Sequence, residues 1–419
     1  MLPARLVLTS LIILVVSIAA HAENWPEFRG PTGQGHYAGK ALPLSWSTTR
    51  NVAWKQAIPG KGWSSPVIWE GRIYLTSAVP IEDSNDQSLQ ALCLDAADGK
   101  LLWQTEVFRQ DAAKTPRIHS KNSYASPSPI TDGKRLFVHF GHEGTACLDL
   151  TGKVLWHNTT LRYAPVHGAG GSPILVDDKL IFSIDGADKQ FLVALDQGTG
   201  AVAWKTDRNC EHFKKFSFST PLAIDVNGRR QIVSPGSGAV VSYDAKDGKE
   251  IWRVQYDGYS VIPRPVFGHG LVFISTGYDR PSVLAIRVDG RGDVTDSHVA
   301  WKLAKGAPHT PSPLLVGNEL YLVSDSGLAS CVDARTGKAH WQEQIGARGD
   351  IGFSASPFHA DGKIYLQSED GVTTVLKAGT KFEPLAESKL EERTFASYAV
   401  ADRAIYLRTE AHLYRLQKK

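Results

Sequence analysis

The sequence predicts an all-β chain folded as an eight-bladed β-propeller. Composition, a recurring motif and a fixed repeat length predict it. The 419 residues include 38 Gly and one Met, and no stretch sustains a helical period. A stretch of about ten residues recurs as "CLDAADGKLLW" ending at Trp103, "CLDLTGKVLW" at Trp156 and "ALDQGTGAVAW" at Trp204. It returns as "SYDAKDGKEIW" at Trp252 and "CVDARTGKAHW" at Trp341. Before each copy comes a small residue with a Pro, an apolar run, a turn and an alternating strand. Those steps fall at Ser65, Ser128, Ser172, Thr220, Arg264, Ser312, Ser356 and Ser397. After the first gap, which carries an insertion at Val79 to Leu89, the spacings are 44, 48, 44, 48, 44 and 41 residues. A period in the mid-forties built from short strands is a propeller signature.

Each unit reads as four strands. In the sixth, "PSPLLV" is the inner strand, "ELYLVS" the second, "LASCVD" the third and "KAHWQEQ" the outer one. The turns "VGNE" and "ADGK" suit tight hairpins, because Gly and Asn tolerate positive φ. The last unit, Ala396 to Leu416, supplies only three strands, whereas "NVAWKQAI" at Asn51 to Ile58 is a fourth strand with nothing before it. Pairing the two closes the ring and removes the open edges. The seventh copy departs from the pattern, with Phe382 where Trp is expected.

The pattern A-x-D-x-x-T-G-x-x-x-W resembles the tryptophan-docking repeat of the PQQ-like (quinoprotein-type) propeller family, over about Val52 to Leu416. That family holds quinone-dependent alcohol dehydrogenases and the non-catalytic assembly lipoprotein BamB. "NWPEFRGPTGQG" is similar to the start of exported planctomycete-type members. The resemblance implies that Trp54, Trp103, Trp156, Trp204, Trp252, Trp301 and Trp341 are structural wedges, each stacked on a glycine turn of the neighbouring blade. It does not carry an enzyme's function with it. The dehydrogenases have adjacent cysteines beside the quinone and a calcium held by acidic and amide groups; this sequence has no Cys-Cys, and no such calcium set aligns. No cofactor is therefore expected, PQQ with calcium being the disfavoured alternative. The lipid-attachment Cys of BamB is also missing.

The expected domain order is a signal peptide over 1–22, an extension over 23–50 and the propeller over 51–419. Arg5, the apolar run "LVLTSLIILVVSIAA" and the "AHA" cleavage site carry the first expectation. They place the mature protein in the periplasm or outside the cell with no stable membrane insertion, and a monomer is expected. Cys93, Cys147 and Cys331 occupy one repeat position in different blades, too far apart to pair, and Cys210 is the one thiol expected to be exposed. A net charge of +3 gives no argument for nucleic acid.

Propellers bind ligands at the channel mouth, on the loops joining one blade's outer strand to the next blade's inner strand. Those loops bring Lys61, Trp63, His119, Lys121, Asn122, Tyr124, His167, Lys215, Arg264, His309 and Arg348 to one face, with Asp350 the clearest acid. Converging cations and aromatic rings suit an anionic or polyhydroxylated small ligand, or a protein partner with an acidic segment. Four histidines on these loops, His119, His167, His212 and His309, show no metal-ligand spacing and no carboxylate tied to them, so no metal is expected. "DGRGDVTD" at Asp289 to Asp296 reads as a solvated hairpin rather than a calcium loop. The reading is a non-catalytic binding or scaffold propeller. The alternative is a quinone-dependent oxidoreductase or another carbohydrate-active enzyme on the same face.

Overall fold

A computed structural model describes residues 23–346 and 352–418. The expected signal peptide, Arg348 and Asp350 lie outside these residues. Eight sheets stand in a ring, each with a core of four strands running from the axis outwards. The sixth blade has its inner strand at Leu314–Val316, then Glu319–Val323, Leu328–Asp333 and an outer strand at Ala339–Gln344. Second and third strands lie between neighbouring blades and bury both faces. Leu320, Tyr321, Leu322 and Val323 are all buried, so the run reads as continuously apolar. Outer strands keep one face in solvent, and Val52–Ala57 alternates half-buried with exposed.

The eighth blade is stitched as expected. Val52–Ala57 pairs antiparallel with His412–Gln417, Trp54 opposite Arg415 and Gln56 opposite Leu413. The insertion at Val79 to Leu89 lengthens the middle hairpin of blade one to Arg72–Pro80 and Gln87–Asp95.

The tryptophan wedges share one hydrogen-bond geometry, with Trp252 the exception. The indole N–H of Trp54 donates to Ala96 O, that of Trp103 to Leu150 O, and that of Trp156 to Gln197 O. Trp204 donates to Ala245 O, Trp301 to Ala334 O and Trp341 to Gly379 O. In every case the acceptor is in the next blade's outer turn. A Cβ on Gly99, Gly152, Gly200, Gly248 or Gly337 would collide with the ring above it, so the glycine is what lets the indole settle there, whereas Trp341 bonds Gly379 O without resting on that glycine, whose Cβ would meet nothing within 4 Å. Trp252 corrects the expectation. Its N–H donates within its own blade, to Gln231 Oε1, and its ring is fully buried. Blade five has no tight turn to receive it, because "DGRGDVTD" occupies that place. That segment is not a solvated hairpin either: Gly292–Asp293 pairs in parallel with Trp252 and Arg253 as a fifth strand on blade four. Phe382 supplies no wedge and packs edge-on against Trp341.

Cys93, Cys147 and Cys331 are free and buried. Cys210 is only half-buried; burial raises its thiol, which is less available than the sequence suggested. Among the described residues no helix is long and apolar enough to cross a membrane.

Candidate functional site

The step before each inner strand builds a crown around the axis. Ser65 N donates to Ser128 Oγ, Ser128 N to Ser172 Oγ and Ser172 N to Thr220 Oγ1, each at 2.9 Å. Arg264 N donates to Ser312 Oγ and Ser312 N to Ser356 Oγ, both at 3.0 Å. Ser356 N donates to Ser397 Oγ at 2.8 Å, and Ser397 N returns to Ser65 Oγ at 3.1 Å. One hydroxyl per blade thus satisfies the backbone of the blade before it. The link from Thr220 to position 264 is missing, because a guanidinium has no acceptor to offer.

Arg264 instead runs away from the crown to hold a plug. Residues 25–36 cross the channel three positions further along the inner strands, a depth of about 10 Å. Trp25 and Ile68 exchange backbone bonds, Thr131 N donates to Pro26 O, Phe267 N to Gln34 Oε1 and His359 N to Gly35 O. Arg264 bonds Phe28 O at 2.6 Å and Glu27 Oε2 at 2.8 Å. Arg29 is buried beside it, bonding Pro313 O at 2.7 Å; burial and the Arg264 charge lower its guanidinium to about 9. Tyr37 and Trp46 carry the same segment over blades seven and eight as buried rings. Phe28 closes the floor, so the channel ends blindly and leaves a cavity of about 620 Å³ open on the opposite face.

The walls come from the loops between blades and from the hairpins between second and third strands. Trp63 packs against Phe395, with ring centroids 4.7 Å apart. Across the mouth, Phe216 meets His167 at 5.2 Å and Tyr259 at 5.7 Å, and Tyr278 meets His309 at 5.4 Å. His119 and His167 stand edge to face at 5.4 Å, fixed by Asn122 Nδ2, which donates to His167 O and Ala169 O. Burial, then His119 and Lys214, lowers the His167 imidazole, keeping it neutral at pH 7. Two ammonium groups face the cavity. Lys121 pairs with Glu369 at 2.8 Å, and Lys214 lies over the Tyr259 ring, bonding its hydroxyl at 2.7 Å.

Of the expected residues, Trp63, His119, Lys121, Asn122, His167 and His309 line this cavity. Others do not. Lys61 is exposed outside it and loosely faces Glu410 at 3.8 Å. Tyr124 packs against the core between blades one and two. Lys215 points to solvent, and its neighbour Lys214 takes the lining position. Arg264 is buried, lies outside the cavity lining and anchors the plug. His212 stays off the cavity, and its Nε2 comes within 3.6 Å of Asp257, contrary to the expectation of no carboxylate partner. The crown, Phe28, Tyr278 and Asp325 were not foreseen as lining. The repeated Ser-Pro step was the visible signal for the crown.

A sequence model of the family "outer membrane protein assembly factor BamB" matches residues 39–162, 93–343 and 291–410, which together span most of the chain. The chain belongs to this PQQ-like propeller family. Over 212 residues it is 27% identical to outer membrane protein assembly factor BamB of Yersinia pestis, covering 46% of this chain and 51% of that protein. Over 252 residues it is 25% identical to quinohemoprotein alcohol dehydrogenase ADH-IIG of Pseudomonas putida, covering 56% of this chain and 26% of that enzyme. The chain therefore spans about half the length of one relative and a quarter of the other. The crystal structure of BamB from Moraxella catarrhalis superposes with a TM-score of 0.63 at 14% identity, over 88% of this chain and 97% of that one, a likeness of fold.

The PQQ-like family name raises the question of a calcium-held quinone, and the cavity carboxylates do not fit the calcium. Asp325, the lining carboxylate, already accepts from His309 N, Thr310 N and Thr310 Oγ1 at 2.6–3.0 Å. Glu369 is spent on Lys121 and Ser354. Among the described residues no three His, Cys, Asp or Glu side chains are grouped to hold a metal ion.

Proposed function

We propose that this BamB-like chain is an exported, non-catalytic binding propeller whose blind cavity takes a small anionic, polyhydroxylated ligand, an acidic sugar. The cavity itself carries the reading. It has the size of a small-ligand site, flat aromatic walls at Trp63, Phe216 and Tyr259, and two ammonium groups at Lys121 and Lys214. Aromatic faces suit the apolar faces of sugar rings, and the lysines suit carboxylates. The "AHA" motif after the apolar leader supports export.

Calorimetric titration with digalacturonate, against neutral cellobiose, tests this. Binding of the acidic sugar alone is expected, weakened about tenfold by Lys214→Ala or Trp63→Ala, a loss of about 1.4 kcal/mol. Absence of heat with digalacturonate up to millimolar concentration rejects the reading. Release of unsaturated or reducing ends during the titration would replace the binding role by a carbohydrate-active enzyme. A second reading, a protein partner over the mouth, is favoured by Phe213, 78% exposed beside Tyr259 on the rim. Capture of an envelope protein that is lost with Phe213→Ser would favour it.

A further inference from the structure

The crown is more than a brace between blades. A hydroxyl has one proton to donate and two lone pairs to accept with. Each crown oxygen uses one lone pair on the N–H of the preceding step. Ser356 donates its proton to Ser312 Oγ at 3.0 Å. The protons of Ser65, Ser128, Ser172, Thr220, Ser312 and Ser397 find no acceptor among the described residues. All six side chains are at least nine-tenths buried, and all line the inner end of the cavity. Unmet donors in a buried place are costly, and a ring of them around one axis is a set of donors waiting for an acceptor. Carboxylates are scarce at this depth. Glu27 is committed to Arg264 and Asp325 to the His309 turn, so the crown presents donors with little competing negative charge.

We infer that the crown is an oxyanion subsite: it receives a carboxylate, phosphate or sulfate group end-on at the axis, the rest of the ligand filling the aromatic cavity above. This rests on the binding reading and adds the ligand's orientation and the chemistry of its leading end. Converging neutral O–H donors hold an oxyanion as backbone N–H nests do. The lysines at the mouth then meet the ligand's outer end, so crown and lysines act on different parts of it.

The test uses inorganic phosphate and digalacturonate as separate probes on the full chain, by equilibrium dialysis and calorimetry. Phosphate is expected to bind, with at least tenfold loss in Ser128→Ala/Ser172→Ala and less than threefold change in Lys214→Ala. Ser128→Asp keeps an acceptor for Ser65 N–H but offers no donor and adds a negative charge; it is expected to abolish phosphate binding while thermal unfolding shows the ring intact. Phosphate that fails to bind, or whose binding follows Lys214 and ignores both crown variants, overturns the subsite. Crown-dependent phosphate binding without digalacturonate binding keeps the subsite and rejects the acidic sugar. Digalacturonate binding unchanged in both crown variants does the reverse.

Discussion

Arg264 stands where the other blades carry a hydroxyl, and the exchange fixes what it does. Its guanidinium is 2% exposed and holds the plug through Phe28 O and Glu27. Burial raises the Glu27 carboxyl and the Arg264 charge opposes that shift. Removing the partner leaves a buried carboxyl with no cation, which costs about 3–5 kcal/mol. Arg264→Met should therefore destabilise the chain by that order in urea unfolding and expose residues 23–36 to protease. The sign of the pH effect follows. Without Arg264 the folded Glu27 pKa rises further above its unfolded value, so the folded state binds the proton more tightly. The variant loses stability as pH rises through the carboxylate range, and its deficit should be smaller at pH 5 than at pH 8. Glu27→Gln/Arg264→Met should recover part of the loss. Equal deficits at both pH values, or no recovery, would show that the charge pair is not what seats the plug. The sequence misplaced Arg264 because a basic residue next to a mouth loop was counted by position, while its side chain turns down the channel. Lys214 and Lys215 show the same limit: neighbours in an extended segment point opposite ways, and spacing alone does not say which enters the cavity.

At the scale of the element, the wedge and its turn form one unit. Gly200 has φ +72° under the Trp156 ring, where a Cβ would lie 2.5 Å from the nearest ring atom. Gly228 has φ +79° in an open hairpin with nothing within 4 Å of a Cβ. Both alanine substitutions carry the backbone penalty of about 1 kcal/mol for positive φ. Gly200→Ala should add about 1–3 kcal/mol by displacing the indole. Comparison of the two variants by chemical denaturation measures the wedge alone, and similar losses would mean that the ring moves aside freely. These units were legible in the chain because motif and period are local. What was not legible came from contacts between distant stretches. Tyr278 and Asp325 sit on hairpins between second and third strands, which share the mouth only once the blade is folded. Trp252 had the motif but not its receiver, since the turn that should accept it lies in another blade and carries the extra strand. The crown was written eight times as a step before a strand, yet its closure depends on bonds between residues 41–63 positions apart, or 332 at the seam.

For the whole molecule the weak point is the seam where the N-terminal strand completes blade eight. Glu392 ties it. Its carboxylate takes Lys55 Nζ at 2.7 Å from the N-terminal strand, and Tyr414 O–H at 2.6 Å and His412 Nδ1 at 2.9 Å from the C-terminal one. Thr409 O–H adds a fourth bond at 2.6 Å. Burial pushes this carboxyl up, but the bonds from Lys55, Thr409, Tyr414 and His412 outweigh it and hold the group at about 2. A folded pKa below the unfolded one stabilises the fold above the unfolded value of 4.5 and is lost as pH falls from there towards 2. Lys55 is 42% exposed, so screening reduces the full linkage figure to about 2 kcal/mol at pH 7. Glu392→Gln should cost about that in urea at pH 7 and less than half of it at pH 3, where the unfolded chain's carboxyl is already mostly protonated while the folded one is still largely ionised. Salt should narrow the pH 7 gap, because the Lys55 arm lies near solvent. The plug does not depend on this carboxylate, since its backbone bonds blades one, two and seven, its Arg29 and Gln34 side chains bond blades six and five, and Arg264 of blade five bonds it in return. The ring therefore has two closures, one hydrogen-bonded across the axis by the plug and one at the rim. Faster hydrogen exchange over residues 52–57 and 412–417 than over residues 25–36 in Glu392→Gln is the pattern this division requires, and uniform loosening of both would mean that the rim seam holds the plug in place.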